Sequence, residues 1–192
     1  MENNVQILTG RLKLRPIRLE DSGLIFSYRS NSTVNEYQGW IPNIIDNVRD
    51  FIINRTSPEI NLPGTWFQFV IINLENNELI GDIGVHFSDS DERNAELGIT
   101  LNQNHHGKGF ATEATTGIIN FLFDHLDKHR ITASIDARNL KSIQLFERIG
   151  FQKEAHFEKN IFINGEWVDD LIYALLKVNW EPHSQPCQVS KT

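Results

Sequence analysis

The sequence predicts an α/β domain with a mixed, mostly antiparallel central sheet of about seven strands and about four helices. Two observations carry this prediction. Some segments alternate apolar and polar residues, which is typical of half-buried strands. Between them lie segments in which apolar residues recur every three or four positions, which is typical of amphipathic helices. The segments run in the order strand, two helices, three strands, helix, strand, helix and two strands. We expect one domain over residues 7–180 and a polar C-terminal tail over 181–192.

The first half of the chain supplies one strand, two helices and three further strands. The strand "RLKLRPI" alternates Leu12 and Leu14 with three basic residues. The turn "LENNE" separates two strand patterns, so these form a hairpin. The elements of this half are the strand 11–17, helices over 21–29 and 44–55, and strands over 65–73, 78–87 and 95–101.

The second half contains two helices and three strands. Apolar residues from Ala111 to Leu126 recur at helical spacing, and "RITASID", residues 130–136, alternates as a strand. Asn139 is a suitable N-cap and Gly150 a suitable stop for the helix between them. The last two strands lie on either side of Asn164-Gly165, a favoured hairpin turn.

Composition and charge exclude several classes of protein. The formal net charge is -7 and the pI about 5.5, which disfavours a nucleic-acid binder and mildly favours a cationic acceptor molecule. The chain has no apolar run of about 18 residues and no signal peptide, so no membrane association is expected. Cys187 is the sole cysteine, which indicates the cytoplasm. His125 and His129 have metal-ligand spacing without an evident third ligand, so we expect no metal site.

The segment "HHGKGFATEA", residues 105–114, joins a strand to a helix through a glycine-rich loop. Glycines let an anion approach the backbone, and the first N–H groups of a helix have no partner inside it. Lys108 adds a positive charge. Gly109 is followed by Phe110, which excludes a phosphate-binding loop of the Walker A type, and Thr112 stands where a dinucleotide fingerprint needs glycine. The pattern leaves open a phosphate site or a loop that only starts a helix.

Two longer stretches carry a resemblance to a known family. The runs "AELGITLNQNHHGKGFATEA" and "ITASIDARNLKSIQLFERIGF" resemble the Gcn5-related N-acetyltransferases, in particular their ribosomal-protein alanine or serine N-terminal acetyltransferase branch. The opening "LTGRLKLRPIRLED" and the ending "NGEWVDDLIYALLKVNW" resemble that branch too. The resemblance covers about residues 7 to 180 and implies the acyl-CoA N-acyltransferase fold, in which "AELGITL" and "RITASID" splay apart around the acetyl-pantetheine arm.

The resemblance implies a binding site for acetyl-CoA, the acetyl donor. The pyrophosphate loop of the family reads Q/R-x-x-G-x-G/A, and His106 stands here where Gln or Arg is usual. The backbone around Thr100 and Leu101 would hydrogen-bond the pantetheine. The implied loop residues are His106, Gly107, Lys108, Gly109, Phe110, Ala111 and Thr112.

The helix over 139–150 carries the N-x-x-S pattern of this branch. The resemblance implies that Asn139 hydrogen-bonds the pantetheine arm and that Ser142 protonates the leaving thiolate. Many relatives use a tyrosine for the second role, but the matching residue here is Phe146, which has no proton to donate. Asn139 alternatively only caps its helix, and Ser142 is alternatively an ordinary first-turn residue.

Further candidates concern the acceptor amine. Glu96 is our candidate base because it shares a strand face with Gly98 and Thr100, near the place where relatives hold a base, although it is alternatively an ordinary exposed strand glutamate. Glu154 and Asp170 are the competing carboxylates. Two aromatic residues occupy the loop that shapes the acceptor pocket in relatives, and each is alternatively a core residue: Tyr37 and Trp40.

The sequence therefore predicts an acetyl-CoA-dependent N-acetyltransferase acting on a primary amine, most concretely a protein N-terminus. Two alternatives stay open. The acceptor is instead a small amine such as an antibiotic, a polyamine or an amino acid, or the chain is a CoA-binding module without catalytic activity. The branch makes a homodimer plausible, but no sequence feature requires one.

Overall fold

The computed structural model describes residues 5–32, 34–181 and 188–191. Cys187 lies outside the described residues, as does most of the expected tail. Within the described residues, nine strands form one sheet. Their bounds are β1 Val5–Leu8, β2 Leu12–Pro16, β3 Thr65–Asn73, β4 Glu78–Phe87, β5 Asn94–Leu101, β6 Arg130–Asp136, β7 Gln152–Ile163, β8 Glu166–Leu176 and β9 Gln188–Lys191.

The strands lie in the order β7-β8-β6-β5-β4-β3-β2-β1-β9. β5 and β6 pair in parallel, whereas the other neighbouring pairs of described strands are antiparallel. The predicted fold class, a mixed and mostly antiparallel α/β sheet, is therefore confirmed. β1 and β9 are additional to the seven strands that the sequence predicts. Both are only four residues long, too short for an alternating pattern to identify them.

Four α-helices cover the two faces of the sheet: α1 Ser22–Arg29, α2 Ile45–Asn54, α3 Phe110–Asn120 and α4 Leu140–Ile149. The buried residues of α1 and α2 form a cluster with Val70 and Ile72 of β3. Those of α3 and α4 pack with Phe69 and Ile71 of the same strand. Because neighbouring residues of a strand point to opposite faces, the two helix pairs cover opposite faces of the sheet.

Local sequence signals place the ends of several elements as predicted. Asn139 caps α4 through its side chain, and Gly150 ends the helix with a φ of 111°. Asn164 and Gly165 both have positive φ at the turn between β7 and β8, as a tight hairpin turn requires. The helix predicted up to about Leu126 differs in its last part. After α3, residues Phe121–His125 form a π-helical turn, whose apolar spacing resembles that of an α-helix.

The central pair of strands opens partway along its length. β5 and β6 are in register only at Asn94↔Arg130, Ala95↔Ile131 and Glu96↔Thr132. Beyond Glu96, the edge of β5 that faces β6 has no partner strand among the described residues. The predicted splayed pair is therefore present, and it leaves a wedge-shaped opening in the middle of the sheet.

Candidate active site

The opening between β5 and β6 forms a cleft of about 490 Å³. Residues 97–100 of β5 line one side of this cleft, and residues 134–136 of β6 line the other. Asn139, Ser142 and Phe146 of α4 also line the cleft. The remaining lining comes from the loop 37–40, from β3 and β4, from Ile161 and Ile163 near the hairpin turn, and from Arg29, Phe51 and Arg55. Strand backbone and polar side chains therefore face one shared space.

The glycine-rich loop follows directly from the end of β5. Gly107 and Gly109 have φ values of 74° and 80°, a left-handed conformation that glycine adopts without strain. α3 begins at Phe110, so the first N–H groups of the helix, from Phe110, Ala111 and Thr112, have no partner within it. These N–H groups and the helix dipole favour an anion, and the geometry therefore fits the pyrophosphate that the resemblance implies.

Two histidines hold the loop against the sheet. His106 Nε2 lies 3.0 Å from the carbonyl oxygen of Leu101, the last residue of β5. His105 is buried, and its Nε2 lies 3.2 Å from Oε1 of Glu78 on β4. The imidazole of His106, in the position that Gln or Arg occupies in the family pattern, thus contacts the strand backbone.

At the start of α4, Asn139 and Ser142 are joined by a capping hydrogen bond. Asn139 Oδ1 accepts from the backbone N–H of Ser142 at 3.1 Å. The cap uses the side-chain oxygen, and none of the described residues takes a hydrogen bond from the Asn139 Nδ2 group. Capping therefore leaves a donor for a ligand in the cleft. The Ser142 hydroxyl lines the same cleft, while Phe146 is buried and packs edge-on against Phe151 at 5.0 Å.

The loop 37–40 places two aromatic side chains in the cleft. Trp40 stacks on Phe51 of α2 at 4.6 Å between ring centroids, so it is both a packed residue and a lining residue. The Arg138 guanidinium lies 5.9 Å from the centre of the Tyr37 ring. Tyr37 and Trp40 are therefore brought to the cleft, as the acceptor prediction requires.

A buried ion pair supports this loop from below. The Arg29 guanidinium donates to both carboxylate oxygens of Asp82, with Nε at 2.9 Å from Oδ2. Tyr28 also donates to Oδ2, at 2.5 Å. Burial, followed by the neighbouring Asp82 carboxylate, raises the pKa of Tyr28 well above its usual value. Arg29 Nη1 reaches Gln38 Oε1 at 3.1 Å, so the pair connects α1, β4 and the loop.

Glu96 lies at the point where β5 and β6 separate. It occupies the last paired position, opposite Thr132, and shares its strand face with Gly98 and Thr100. Burial raises the pKa of its carboxyl group; the neighbouring His86 partly offsets this effect, and the nearby Asp170 adds a smaller increase. Glu96 itself does not line the cleft; it lies at the apex, where the strands separate, directly before the lining residues 97–100 of β5. This position and its raised pKa suit a general base.

The two alternative candidates for the base, Glu154 and Asp170, already accept hydrogen bonds from neighbouring side chains. Glu154 accepts hydrogen bonds from the guanidinium of Arg130, at 2.9 Å for Oε1, and this interaction lowers the pKa of Glu154. The residues that line the cleft do not include Glu154. Asp170 is buried, and its two oxygens accept from Ser134 at 2.8 Å and from Asn160 at 3.2 Å. Asp170 thus faces the Glu96 side of the sheet as a hydrogen-bonded carboxylate.

A hydrogen bond joins the β7–β8 turn to the loop that precedes Tyr37. Asn164 Nδ2 donates to the backbone carbonyl of Glu36 at 3.2 Å. Arg138 approaches Tyr37 and also pairs with Glu166, the first residue of β8. The cleft is therefore bounded on this side by two chain segments in contact.

Other features expected from the sequence are placed elsewhere. The His125 ring stacks on Phe121 at 5.7 Å in the π-helical turn. Among the residues that the structure describes, no three His, Cys, Asp or Glu side chains are grouped to hold a metal ion. The described helices include none that is long and apolar enough to cross a membrane.

Sequence reasoning missed the residues that support the site from outside the motifs. A hydrogen-bonded network connects the loop 37–40 to α1 and β4 through Gln38, Arg29 and Asp82. Arg11 contacts the glycine-rich loop. Asp82 gave a usable signal, because a charged residue inside the apolar strand "ELIGDIGVHF" needs a buried partner. Its partner Arg29 lies 53 positions away and gave no such signal.

Comparison with known proteins agrees with this geometry. Residues 11–152 match the model of the acetyltransferase (GNAT) domain. An uncharacterized N-acetyltransferase, p20 of Bacillus licheniformis, is 34% identical over 172 residues, covering 89% of this chain and 96% of that protein. The [ribosomal protein uS5]-alanine N-acetyltransferase of Escherichia coli (strain K12) is 31% identical over 127 residues, which cover 65% of this chain and 64% of that protein. A GNAT-family acetyltransferase from Bacillus anthracis superposes with a TM-score of 0.79 at 28% identity, covering 90% of this chain and 99% of that one.

Proposed function

The chain belongs to the GNAT family of N-acetyltransferases, and from this membership we propose that it acetylates the N-terminal α-amine of a protein or peptide. The reaction class, acetyl transfer from acetyl-CoA to an amine, follows from the family. The N-terminal acceptor is our proposal. The observation that carries it is the cleft between β5 and β6, which the contact between Asn164 and Glu36 borders next to the lining residues Tyr37 and Ile163.

A bounded cleft favours an acceptor that enters by its end. A chain terminus is slender and can reach the apex at Glu96 in an extended conformation, with the following residues lying along β5. The similarity to the uS5-alanine N-acetyltransferase supports a protein acceptor, since that enzyme is named for N-acetylation of an alanine of a ribosomal protein. The formal charge of -7 further favours an acceptor with positive charge.

We propose that the donor lies with its pyrophosphate on the loop 106–112. The N–H groups of Phe110, Ala111 and Thr112 face the anion, and Lys108 adds charge at the rim. The pantetheine arm follows the free edge of β5 near Thr100 and Leu101, and the Asn139 Nδ2 group donates to it from the other side. This arrangement brings the thioester between Glu96 and Ser142.

The chemistry then needs a base, an oxyanion donor and an acid. Glu96 takes a proton from the ammonium, directly or through a water, and the neutral amine attacks the thioester carbonyl carbon. An unpaired N–H group on the free edge of β5 stabilises the developing oxyanion. As the C–N bond forms and the C–S bond breaks, the Ser142 hydroxyl gives its proton to the leaving thiolate. The attacking nitrogen loses its second proton, which passes through water to the Ser142 oxygen and restores the hydroxyl. The step is a direct transfer in a ternary complex and forms no covalent enzyme intermediate.

Two accompanying expectations also stay predictions. The sole cysteine is consistent with function in the reducing cytoplasm, and the resemblance is compatible with a homodimer, which no sequence feature requires. Light scattering at micromolar concentration measures the assembly directly and distinguishes a dimer from a monomer.

The test is to identify which amine carries the acetyl group. A peptide that begins with Ser or Ala and contains one internal lysine is incubated with acetyl-CoA, and the product is mapped by mass spectrometry. The proposal predicts acetylation at the α-amine and none of a matched peptide with a blocked N-terminus. Acetylation of the lysine, or turnover confined to polyamines, aminoglycosides or free amino acids, would contradict it. Tight acetyl-CoA binding without turnover on any amine would favour the non-catalytic alternative.

A further inference from the structure

Arg11, at the turn between β1 and β2, makes an extensive contact with Glu113 of α3. Arg11 Nε and Nη2 both lie 2.7 Å from Oε2 of Glu113. The backbone N–H of Arg11 donates to Oε1 at 2.7 Å, and the Thr9 hydroxyl donates to the same oxygen at 2.7 Å. The carboxylate is thus held by four donors from one turn, a geometry far more specific than that of an ordinary surface ion pair.

The same guanidinium also contacts the glycine-rich loop. Arg11 Nη1 donates to the backbone carbonyl of Lys108 at 3.1 Å. The Arg11 guanidinium lies 4.6 Å from the centre of the Phe110 ring, within range of a cation–π contact. Arg11 therefore holds the residues on both sides of Gly109 while it binds Glu113. This hydrogen bond engages the Lys108 carbonyl directly before Gly109.

The charge of Glu113 gives this contact a consequence for ligand binding. Glu113 lies in the first turn of α3, the helix whose free N–H groups form the anion site. Burial alone would raise its pKa, but the hydrogen bonds from Thr9 and Arg11 outweigh burial and lower the pKa of Glu113. The residue is therefore ionised at neutral pH. A negative charge in this turn stabilises the helix but repels a pyrophosphate beside it.

We propose that Arg11 is a positioning residue for the acetyl donor. It offsets the charge of Glu113 next to the pyrophosphate loop and fixes the Lys108 carbonyl, so the loop is preorganised for a diphosphate ligand. The inference rests on the proposed donor site and is independent of the acceptor. Arg11 lies in the opening run "LTGRLKLRPIRLED", outside the pyrophosphate loop itself.

A variant in which both Arg11 and Glu113 are replaced separates the effect of charge on CoA binding from the effect of loop geometry. We would measure the Kd for CoA by calorimetry for Arg11→Gln, Glu113→Gln and both together. Arg11→Gln is expected to weaken CoA binding about tenfold, because the Glu113 carboxylate then lacks its charge partner in the first turn of α3, beside the proposed pyrophosphate site. Glu113→Gln is expected to change the Kd by less than about threefold, and the double variant to recover most of the loss. Arg49→Gln, which breaks the exposed pair with Asp46 on α2, is the matched control and should bind CoA like the wild type.

Kinetics and unfolding distinguish positioning from a general loss of structure. Arg11→Gln should raise the KM for acetyl-CoA while leaving kcat and the KM for the acceptor within about twofold, and each variant should keep a cooperative thermal transition. Arg11→Gln with wild-type CoA affinity would overturn the proposal, as would a double variant as weak as Arg11→Gln. Absence of CoA binding by the wild-type protein would instead refute the donor site itself and the proposed function with it.

Discussion

The side-chain amide of Gln38 lies 2.7 Å from the hydroxyl of Thr100 and so joins the acceptor loop to the strand at the edge of the cleft. Gln38 Oε1 also accepts from the guanidinium of Arg29 at 3.1 Å. One side chain therefore connects the loop 37–40, the buried ion pair below it and β5. The position of the loop relative to β5 depends on this connection.

Replacing Gln38 should impair acceptor binding more than donor binding. Gln38→Leu removes both hydrogen bonds, so the loop with Tyr37 and Trp40 loses its fixed position. We expect the KM for the acceptor to rise about fivefold to tenfold, with the Kd for CoA within about twofold of the wild type. Gln38→Glu is the matched control, since a carboxylate still accepts from Arg29 and from the Thr100 hydroxyl. Equal losses of donor and acceptor affinity would show that Gln38 does not act on the acceptor loop.

Asp82 should be among the most sensitive positions for stability. Asp82→Ala leaves Arg29 buried without its charge partner, a change that typically costs about 3–5 kcal/mol of the free energy of unfolding. Urea denaturation measures this loss. The control is Asp46→Ala, which breaks an exposed pair with Arg49 and should cost less than about 1 kcal/mol. Similar losses for the two variants would contradict a special role for the buried pair.

The donor loop should not tolerate a side chain at Gly109. Its φ of 80° strains any L-residue, and Gly109→Glu also places negative charge against the pyrophosphate. We expect the Kd for CoA to rise at least about 100-fold, measured by calorimetry. Gly165→Glu at the hairpin turn, where φ is 91°, carries a similar backbone strain away from the loop and should retain CoA binding. Normal CoA affinity of the Gly109→Glu protein would refute the loop assignment.

Removing the Ser142 hydroxyl should lower the turnover rate and leave the affinity for the acetyl donor unchanged. Ser142→Ala removes the hydroxyl but keeps the backbone N–H that Asn139 accepts, so α4 remains capped. We expect kcat to fall about 10-fold to 100-fold in steady-state assays, with the Kd for CoA unchanged within about twofold. Ser142→Thr restores a hydroxyl and should recover part of the rate. A wild-type kcat in Ser142→Ala would make the serine purely structural.

The pH dependence of the rate should report on Glu96. Because burial raises the pKa of this carboxyl group, the acidic limb of kcat/KM should lie at a higher pH than an ordinary glutamate would give. Glu96→Gln should lower the rate and remove that limb. An unchanged limb in this variant would direct attention to Asp170, the second carboxylate on this face.

The raised pKa of Glu96 also affects stability. The resulting pH dependence of the free energy of unfolding has the opposite sign to that of a carboxylate in a salt bridge. The folded protein binds the Glu96 proton more tightly than the unfolded chain, so the residue destabilises the fold once it is ionised. The free energy of unfolding should therefore fall as pH rises from the unfolded pKa through the folded pKa. Glu96→Gln should unfold at higher urea concentration than the wild type at neutral pH, and the two proteins should converge in acid.

Local patterns were enough to predict the elements that surround the site. The glycine-rich loop, the cap at Asn139 and the turn at Asn164-Gly165 each depend on residues within a few positions, so their structure follows from their own sequence. Glu96 and Ser142 were identified through strand periodicity and the family motif, and the structure places Ser142 in the lining of the cleft and Glu96 directly before it, where β5 and β6 separate.

Contacts between distant parts of the chain were not predictable in this way. Arg11 and Glu113 are separated by 102 positions, and Gln38 and Thr100 by 62. Each residue taken alone has the pattern of an ordinary polar surface position. Pairing depends on which strands and helices become neighbours, and that information lies in the packing of the whole domain. Glu154 illustrates the converse, since a carboxylate with suitable chemistry is held by Arg130 outside the cleft.

The most direct measurement of the central claim is the release of free CoA thiol from acetyl-CoA with a panel of amine acceptors. The panel contains peptides that begin with Ser, Ala or Met, together with polyamines, aminoglycosides and free amino acids. Acetylation of a protein N-terminus predicts thiol release with the peptides, and this release should be lost when their α-amines are blocked and in Gly109→Glu. Thiol release confined to one small amine, with no turnover of any peptide, would contradict it.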